Sequence, residues 1–533
     1  MPVQPGQPSL DSLLSDDRLA SGAEFLGILT AARERLRAGR LPQAEASHFA
    51  GWAASQFWLH YRVNGSFLAQ AITLLCELAV QADPEIAQIG KRALFSSLVE
   101  PLSDAFDAEY CAVYDRLFAQ VIDWCRRQPA GTALNRALNR FGLRNADQLL
   151  KRKQKLNKQP LRRPISPDRL KKVLLLSRVT LGAEVAITAT IIATLRTILP
   201  DAQYVLLAAP TVRRLFAGDA NVAVHEVRYN RDQGLLEQFD SWLDVVQAIR
   251  TETEGLHPEE FVVIDPDSRL SQLGLLPVVE DETRYVFFPS RSFGGEGDEP
   301  IGALAARWTK QVFGAPETRY PQVRLLAEDW DLARALVRHM TECTSRPVTV
   351  VNFGVGGNNA KRLAESFEHI LVLRLIESGA RVLLAKGVGV EETDRSNRLL
   401  RKMAETGKTV QEFDAARPED LAVLDPNCDV LGWQGNVGAY CALIGSVDEY
   451  IGYDSAGQHI AAALGTPTID IFAHNPSPRF MYRWRPYGPG PVQVINATGQ
   501  GDIGRWAEQV TEQVMECRKR YLESKASYIE TKG

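Results

Sequence analysis

Cysteine is scarce in this chain of 533 residues, and it is unpatterned. The seven are Cys76, Cys111, Cys125, Cys343, Cys428, Cys441 and Cys517, an odd number with no CxxC pair. That spacing argues against a structural zinc or iron site and suits free thiols in a reducing compartment. Long apolar runs are missing as well. No stretch approaches about 18 apolar residues, so no membrane-spanning helix is expected. The start, MPVQPGQPSLDSLLSDDRLA, lacks the basic-then-apolar pattern of a secretory leader. Net charge is only -4, so no global field draws nucleic acid, and none is expected as a partner. A cytoplasmic protein is the expectation.

What is present is an ordinary globular composition, 45% apolar and 24% charged, long enough for about three domains. Residues 1–150 read as helical. Ser21 and Glu24 have capping-box spacing, and Phe25, Leu29 and Leu36 recur at helical intervals before Gly39. Pro42, Pro84, Pro101 and Pro129 punctuate further helix-length segments. Residues 151–172 carry ten basic residues, one acid and three prolines, which reads as a basic linker. The sharper reading is a contact with an anionic membrane surface.

From Val173 the pattern becomes strand–helix alternation. VLLLS, YVLLAA, VAVHEV, FVVID and YVFFP form one series of short β-rich runs; VTVVNF, RVLLA, EYIGY and PTIDIF form a second. Such runs suit parallel strands buried on both faces. Two Rossmann-like domains, residues 173–330 and 331–533, are expected to face a cleft.

Three segments can carry chemistry. In LGAEVAITATIIATLRTILPDA, Gly182 opens a helix after a strand and Glu184 sits in its first turn. A carboxylate there is a candidate general base, or it merely complements the helix dipole. In VVNFGVGGNNAKRLAE, a strand runs into Gly354, Gly356 and Gly357, with Lys361 and Arg362 following. Glycines admit a phosphate to the backbone and Lys361 brings charge, although the GK[ST] of a Walker A loop is absent. In EYIGYDSAGQHIAAALGTPTIDIF, a strand ends at Asp454, and Ser455, Ala456 and Gly457 open a helix bearing His459. Free amides at such a helix start meet a diphosphate well. The bland alternatives are a plain turn for the second segment and a core histidine for His459. Asp265-Pro266-Asp267 reads as a turn rather than a metal-binding pair. FMYRWRPYGPG, residues 480–490, either covers the nucleotide site or packs as a surface loop.

Together these segments resemble glycosyltransferase family 9, the heptosyltransferases, over residues 173–500. The family's LGDxxLTTPxLxxLRxxFPxA is matched by LGAEVAITATIIATLRTILPDA, and its VGNDTGPMHLAAALGTPxxALFG by IGYDSAGQHIAAALGTPTIDIFA. VVIDPDSRLSQLG and RPYGPG also fit. The resemblance implies a GT-B fold, α/β with two Rossmann-like domains, here behind an all-α domain. It implies metal-independent, inverting transfer of a sugar, commonly heptose from ADP-heptose. It gives Glu184 as the base, and Lys361, Glu391, Asp454, Ser455, Ala456, Gly457 and His459 as donor-binding residues. Gly182, Arg269 and Arg362 stand as acceptor or loop candidates. No cofactor or metal is expected beyond the nucleotide-sugar co-substrate, taken as an ADP-sugar. The acceptor is a glycan such as lipopolysaccharide core, a lipid-linked group or a protein, with peripheral attachment to the inner membrane as an option. This chain departs from the pattern in two places: GAE replaces GD, with one residue inserted, and Ala456 replaces a glycine. The altered GAE keeps open a non-catalytic nucleotide-sugar-binding protein. A nucleotide-sugar epimerase of the same two-domain shape is a further alternative.

Overall fold

The computed structural model describes residues 19–39, 41–159, 167–229, 233–342, 346–499 and 503–530. Cys343 and residues 1–18 and 160–166 lie outside the described residues. By its contacts the chain divides into two compact units. One comprises residues 1–159, 227–255 and 267–296; the other comprises 160–226, 256–266 and 297–533.

The first unit is helical, and its ends are written in the sequence. Helix α1 (Gly22–Arg37) starts at the expected capping box, with Ser21 accepting from the Glu24 amide and Glu24 accepting from the Ser21 amide. Helices α2 (Gln43–Asn64), α3 (Ala69–Ala79) and α4 (Pro84–Leu94) follow. Pro84 stands in the first turn of α4, where a missing N–H costs nothing, and Asp83 caps it. Helices α5 (Ala108–Arg126), α6 (Thr132–Arg140) and α7 (Ala146–Asn157) complete the series.

Helix α7 corrects the linker reading. The basic stretch 151–172 begins as helix, and Arg152 and Lys153 are buried. Lys153 donates to the Leu273 carbonyl at 2.6 Å and lies 3.6 Å from the Phe287 ring centre. Arg152 donates to the Gly274 carbonyl at 2.6 Å and pairs with Glu282. These charges clasp the segment 267–296, so they are not available to a membrane surface. No described helix is long and apolar enough to cross a membrane.

The chain holds two sheets. The first has strand order β3-β2-β1-β4-β5, with β1 Lys172–Leu176, β2 Gln203–Ala208, β3 Val222–Glu226, β4 Phe261–Asp265 and β5 Tyr285–Phe287. The second runs β12-β11-β10-β6-β7-β9-β8, with β6 Val348–Asn352, β7 Arg381–Ala385, β8 Val410–Asp414, β9 Val430–Gln434, β10 Glu449–Tyr453, β11 Thr468–Phe472 and β12 Val492–Asn496. Its neighbouring strands pair in parallel, as do β1–β2, β1–β4 and β2–β3. This is the expected α/β class: two parallel sheets, with a helical region ahead of them in the chain. One face of the second sheet is apolar, with Val351, Val382, Leu384, Ile451, Tyr453, Ile469 and Ile471 packed into a single core. Burying each such side chain is worth about 1.5–3 kcal/mol. The opposite face carries the polar groups of the site.

Candidate active site

The helix after β1, α8, is not a regular helix. It runs as an α turn (Leu181–Ala183), a π segment (Glu184–Ala189) and a further α stretch (Thr190–Leu195). A π turn is what one inserted residue makes of an α-helix. The insertion seen when GAE is set against GD therefore has a local structural counterpart that begins at Glu184.

Glu184 is fully buried. Its Oε1 accepts from the Ser177 hydroxyl, from the Arg178 amide at 2.6 Å and from the Val179 amide at 3.2 Å; its Oε2 accepts from Thr188 Oγ1 at 2.6 Å. Val179 has φ 74°, a left-handed conformation that is costly for a β-branched residue. Burial raises the carboxyl above its ordinary range, while the donors Ser177, Thr188 and Arg178 oppose that shift. In this structure the carboxylate organises the turn 177–180 and is sealed from solvent.

That turn touches the other half of the unit. A Cβ on Gly182 would lie 3.1 Å from Cδ2 of His459 and 3.2 Å from Cα of Ala456. Only glycine lets α8 approach so closely the start of the helix Ala456–Leu464, which has Ser455 at its N-cap. The sequence's first and third motifs are brought together here.

Asp454 ends β10 and is buried. Its Oδ2 meets Lys361 Nζ at 2.5 Å, and its Oδ1 accepts from Gln458 Nε2 at 2.8 Å. Lys361 belongs to the second motif, so all three motifs converge. His459 is buried, and burial, with Lys361 adding, lowers its pKa to about 4 against the pull of Asp454, leaving a neutral imidazole at pH 7. The segment 480–490 also reaches the site. In the helix Pro478–Trp484, Phe480 lies 5.4 Å from Lys361 Nζ and Trp484 packs edge-on to His459 at 6.0 Å.

The glycine-rich loop holds one of the protein's own carboxylates. Glu392 Oε1 accepts from the Val355 amide at 2.8 Å and the Gly356 amide at 3.0 Å; Oε2 accepts from Val388 at 3.0 Å. Gly356 and Gly357 have φ 62° and 86°, the left-handed region that glycine enters freely. Arg362 lies 3.5 Å from Glu392 and 3.6 Å from Glu391. Glu391 itself is exposed and accepts from Asn359. The inward acid of this loop is its neighbour Glu392, which the sequence pattern did not distinguish.

Arg269 is in the first unit, where it donates to the Tyr114 hydroxyl at 3.2 Å and to Ser103 at 3.1 Å. Asp267 has φ 66° and pairs with Arg291 at 2.7 Å, as a turn residue does. Among the described residues no group of three or more His, Cys, Asp or Glu is gathered to hold a metal.

One glycine fixes the helix start from below. A Cβ on Gly457 would collide with the Tyr450 hydroxyl and stand 2.6 Å from that of Tyr440. The Tyr440 hydroxyl in turn accepts from Asn352 Nδ2 at 2.7 Å. Asn352, Tyr450, Gln458 and Asp470 lie within the quoted segments, but nothing in those segments singled them out, and Tyr440 lies outside them. The pairing register, with Gly452 beside both Asn352 and Asp470, is what puts the strand residues on one face.

Residues 308–502 match the model of glycosyltransferase family 9 (heptosyltransferase). The chain carries a family 9 glycosyltransferase domain. The match includes Lys361, Asp454 and His459 and excludes the helical unit. Among solved structures, the transferase is similar to a family 9 glycosyltransferase from Veillonella parvula DSM 2008, at 12% identity and TM-score 0.48, covering 66% of this chain and 98% of that one. It is similar to the E. coli ADP-heptose lps heptosyltransferase II, at 16% identity and TM-score 0.43, covering 67% and 99%. It is also similar to E. coli heptosyltransferase WaaC with ADP, at 14% identity and TM-score 0.43, covering 65% and 99%. The sheets themselves, not these likenesses, establish the fold. No curated protein matches the chain.

Proposed function

We propose that this transferase moves a heptose from a nucleoside diphosphate donor, ADP-heptose, to a hydroxyl of a glycan acceptor. The observation that carries the reading is the convergence at the end of β10. Lys361 and the unpaired amides at the start of the helix Ala456–Leu464 supply positive potential at one point, beside the turn at Gly182. In the proposed reaction the acceptor oxygen attacks the anomeric carbon as the bond to the diphosphate breaks. Charge grows on the leaving diphosphate, and preorganised donors there lower the barrier most. Lys361 would exchange part of its contact with Asp454 for a phosphate oxygen. Asp454 would orient the sugar, and neutral His459 would donate or accept one hydrogen bond at the reacting wall. Glu184 acts in this proposal by holding that wall in shape. Inversion, independence from added metal and a cytoplasmic setting belong to the same proposal. The six described cysteines are all free thiols, which suits the last.

The test is direct. Calorimetry with ADP, GDP and UDP identifies the nucleotide, and ADP release from ADP-heptose with a core-oligosaccharide acceptor reports transfer. Lys361→Ala should weaken ADP binding at least tenfold, since a hydrogen bond between charged groups contributes about 1.5–3 kcal/mol. Binding of none of the three nucleotides by the wild-type protein would refute the reading. Product stereochemistry by NMR and turnover in a metal chelator check inversion and metal independence.

A further inference from the structure

Asp470 is the least explained polar residue of the transferase. It lies in the middle of β11 and is completely buried. Among the described residues no side chain donates to either of its carboxyl oxygens, and from the backbone only the neighbouring Ile471 amide favours its charged form. Register places it next to Gly452 of β10, a position without a side chain. Two residues on, directly after β10, the chain reaches Asp454, whose amide still donates to the Ile471 carbonyl at 3.2 Å, so that alternation continues and sets it on the same face. The helix Ala456–Leu464 covers this face, and there the Gln458 amide donates to Asp454 while its own Oε1 is left without a partner. A buried, ionised carboxylate accepts only, and so do the Asp454 carboxylate and Gln458 Oε1. Two carboxylates on one buried face repel each other, and a protonated carboxyl removes that repulsion and adds a donor.

We propose that Asp470 and Asp454 form a carboxylic acid–carboxylate pair that holds one proton, carried by Asp470, and that this pair positions Asp454 against Lys361 beneath the donor. Asp470 is a positioning residue: it acts through Asp454 and does not itself meet the substrate. The charged and titratable groups facing it are Asp454 and Tyr450 from β10, Lys361 from the glycine-rich loop segment and His459 from the covering helix; the other face of β11 is the apolar core. Electrostatics agree with the geometry. Burial pushes the Asp470 carboxyl well above the usual carboxylate range, Asp454 pushes it further, and Lys361 only partly opposes them.

The role of Asp454 at a donor rests on the proposed function; the shared proton does not, and two readouts separate them. The full-length protein is compared with Asp470→Asn, which keeps the shape and always donates, and with Asp470→Val, which cannot donate. The first readout needs no ligand. A carboxyl whose folded pKa lies above its unfolded value favours folding below about pH 4 and loses that contribution as pH rises. Asp470→Asn should therefore gain melting temperature relative to wild type as pH increases from 4 to 8. The second readout is ADP affinity by calorimetry: within threefold of wild type for Asp470→Asn, and at least tenfold weaker for Asp470→Val. A melting-temperature difference that stays flat with pH overturns the shared proton. Wild-type ADP affinity in Asp470→Val overturns the positioning role. If the wild-type protein binds no ADP, the nucleotide reading fails by itself and the pH series still decides on Asp470.

Discussion

Replacing Glu184 separates its two roles, base and turn organiser, because the two substitutions Glu184→Gln and Glu184→Ala affect them oppositely. In the native turn one carboxylate oxygen satisfies three donors, the Ser177 hydroxyl and the Arg178 and Val179 amides, and the other satisfies Thr188. A glutamine can place its amide oxygen toward the first three. Its NH2 then faces Thr188, whose hydroxyl rotates to accept. What is lost is the strengthening of these bonds by charge, on the order of 1 kcal/mol for each strong one. What is gained is relief from burying a charge, and burial is the larger influence on this carboxyl. The two nearly cancel at neutral pH, so Glu184→Gln should shift stability by no more than about 1 kcal/mol. Alanine has no such escape. The Val179 amide keeps the Ser177 hydroxyl oxygen at 2.8 Å, but the Arg178 amide cannot rotate away, and stranding it costs about 1–3 kcal/mol. A cavity is added as well. Glu184→Ala should lose about 2–5 kcal/mol, read as a lowered melting temperature.

The pH dependence has a definite sign. Because the folded pKa of Glu184 is raised, its ionisation opposes folding as pH rises above the unfolded value of about 4.3. Glu184→Gln should therefore gain on wild type with increasing pH. Melting curves at several pH values and initial rates of ADP release measure both. Glu184→Gln should keep activity within about threefold, about 0.7 kcal/mol of barrier. A hundredfold loss of turnover in a Glu184→Gln protein with unchanged melting temperature would restore the base and refute the turn-organiser role.

Contacts near the site set three further outcomes. Gly457→Ala forces a methyl group onto the Tyr450 hydroxyl and to 2.6 Å from the Tyr440 hydroxyl, and should cost about 1–3 kcal/mol together with ADP affinity; adding Tyr450→Phe removes only the closest contact and should recover part of both, measured as a double-mutant cycle. Arg518→Ala leaves Glu449 buried without its 2.6 Å partner, both side chains being 4% exposed, and should destabilise by about 3–5 kcal/mol in urea unfolding while ADP affinity in the folded fraction persists. Lys361→Met should lower ADP affinity with a salt dependence weaker than that of wild type, because the removed interaction is the ionic one; an unchanged salt slope would exclude phosphate contact by Lys361.

Much of the second unit was legible because its central strands are buried on both faces. LLL in β1, VVI in β4 and EYIGY in β10 read as continuous apolar runs for that reason. The missed strands have different surroundings. Strands β8 (VQEFD) and β12 (VQVIN) are edges, half exposed and mixed in polarity, and β9 (VLGWQ) is interrupted by Gly432. In the site, Lys361, Asp454 and His459 were legible because they stand on strand-to-helix turns, where the local pattern already points to a ligand. Asp470 was not, since TIDIF is an ordinary strand and only pairing with Gly452 reveals what its carboxyl faces. Arg152 and Lys153 misled for a related reason. Charge density reads as solvated linker, yet long basic side chains also bury their stems and reach backbone carbonyls, as these two do at Leu273 and Gly274.

The π segment at Glu184 bears directly on mechanism. Inserting one residue rotates everything upstream of it by about 100° relative to the rest of the helix, unless a wide turn absorbs the change locally. Here the wide turn begins at the acid itself, so the apolar face from Val185 to Leu195 packs undisturbed while the preceding turn is reset. Resetting it keeps Gly182 against His459 and Ala456 but turns the carboxylate inward, onto Ser177, Arg178 and Val179. The contact between halves is thus made while the acid at that turn points inward. A compensating deletion puts this to the test. Removing Ala183 and replacing Glu184 with Asp restores the LGD spelling, and should return α8 to regular helix and present a carboxylate outward at the turn. If turnover rises in that variant while ADP affinity is unchanged, the inserted residue governs proton removal. If α8 keeps its π turn without the insertion, as seen in a crystal structure of the variant, the insertion is not its cause.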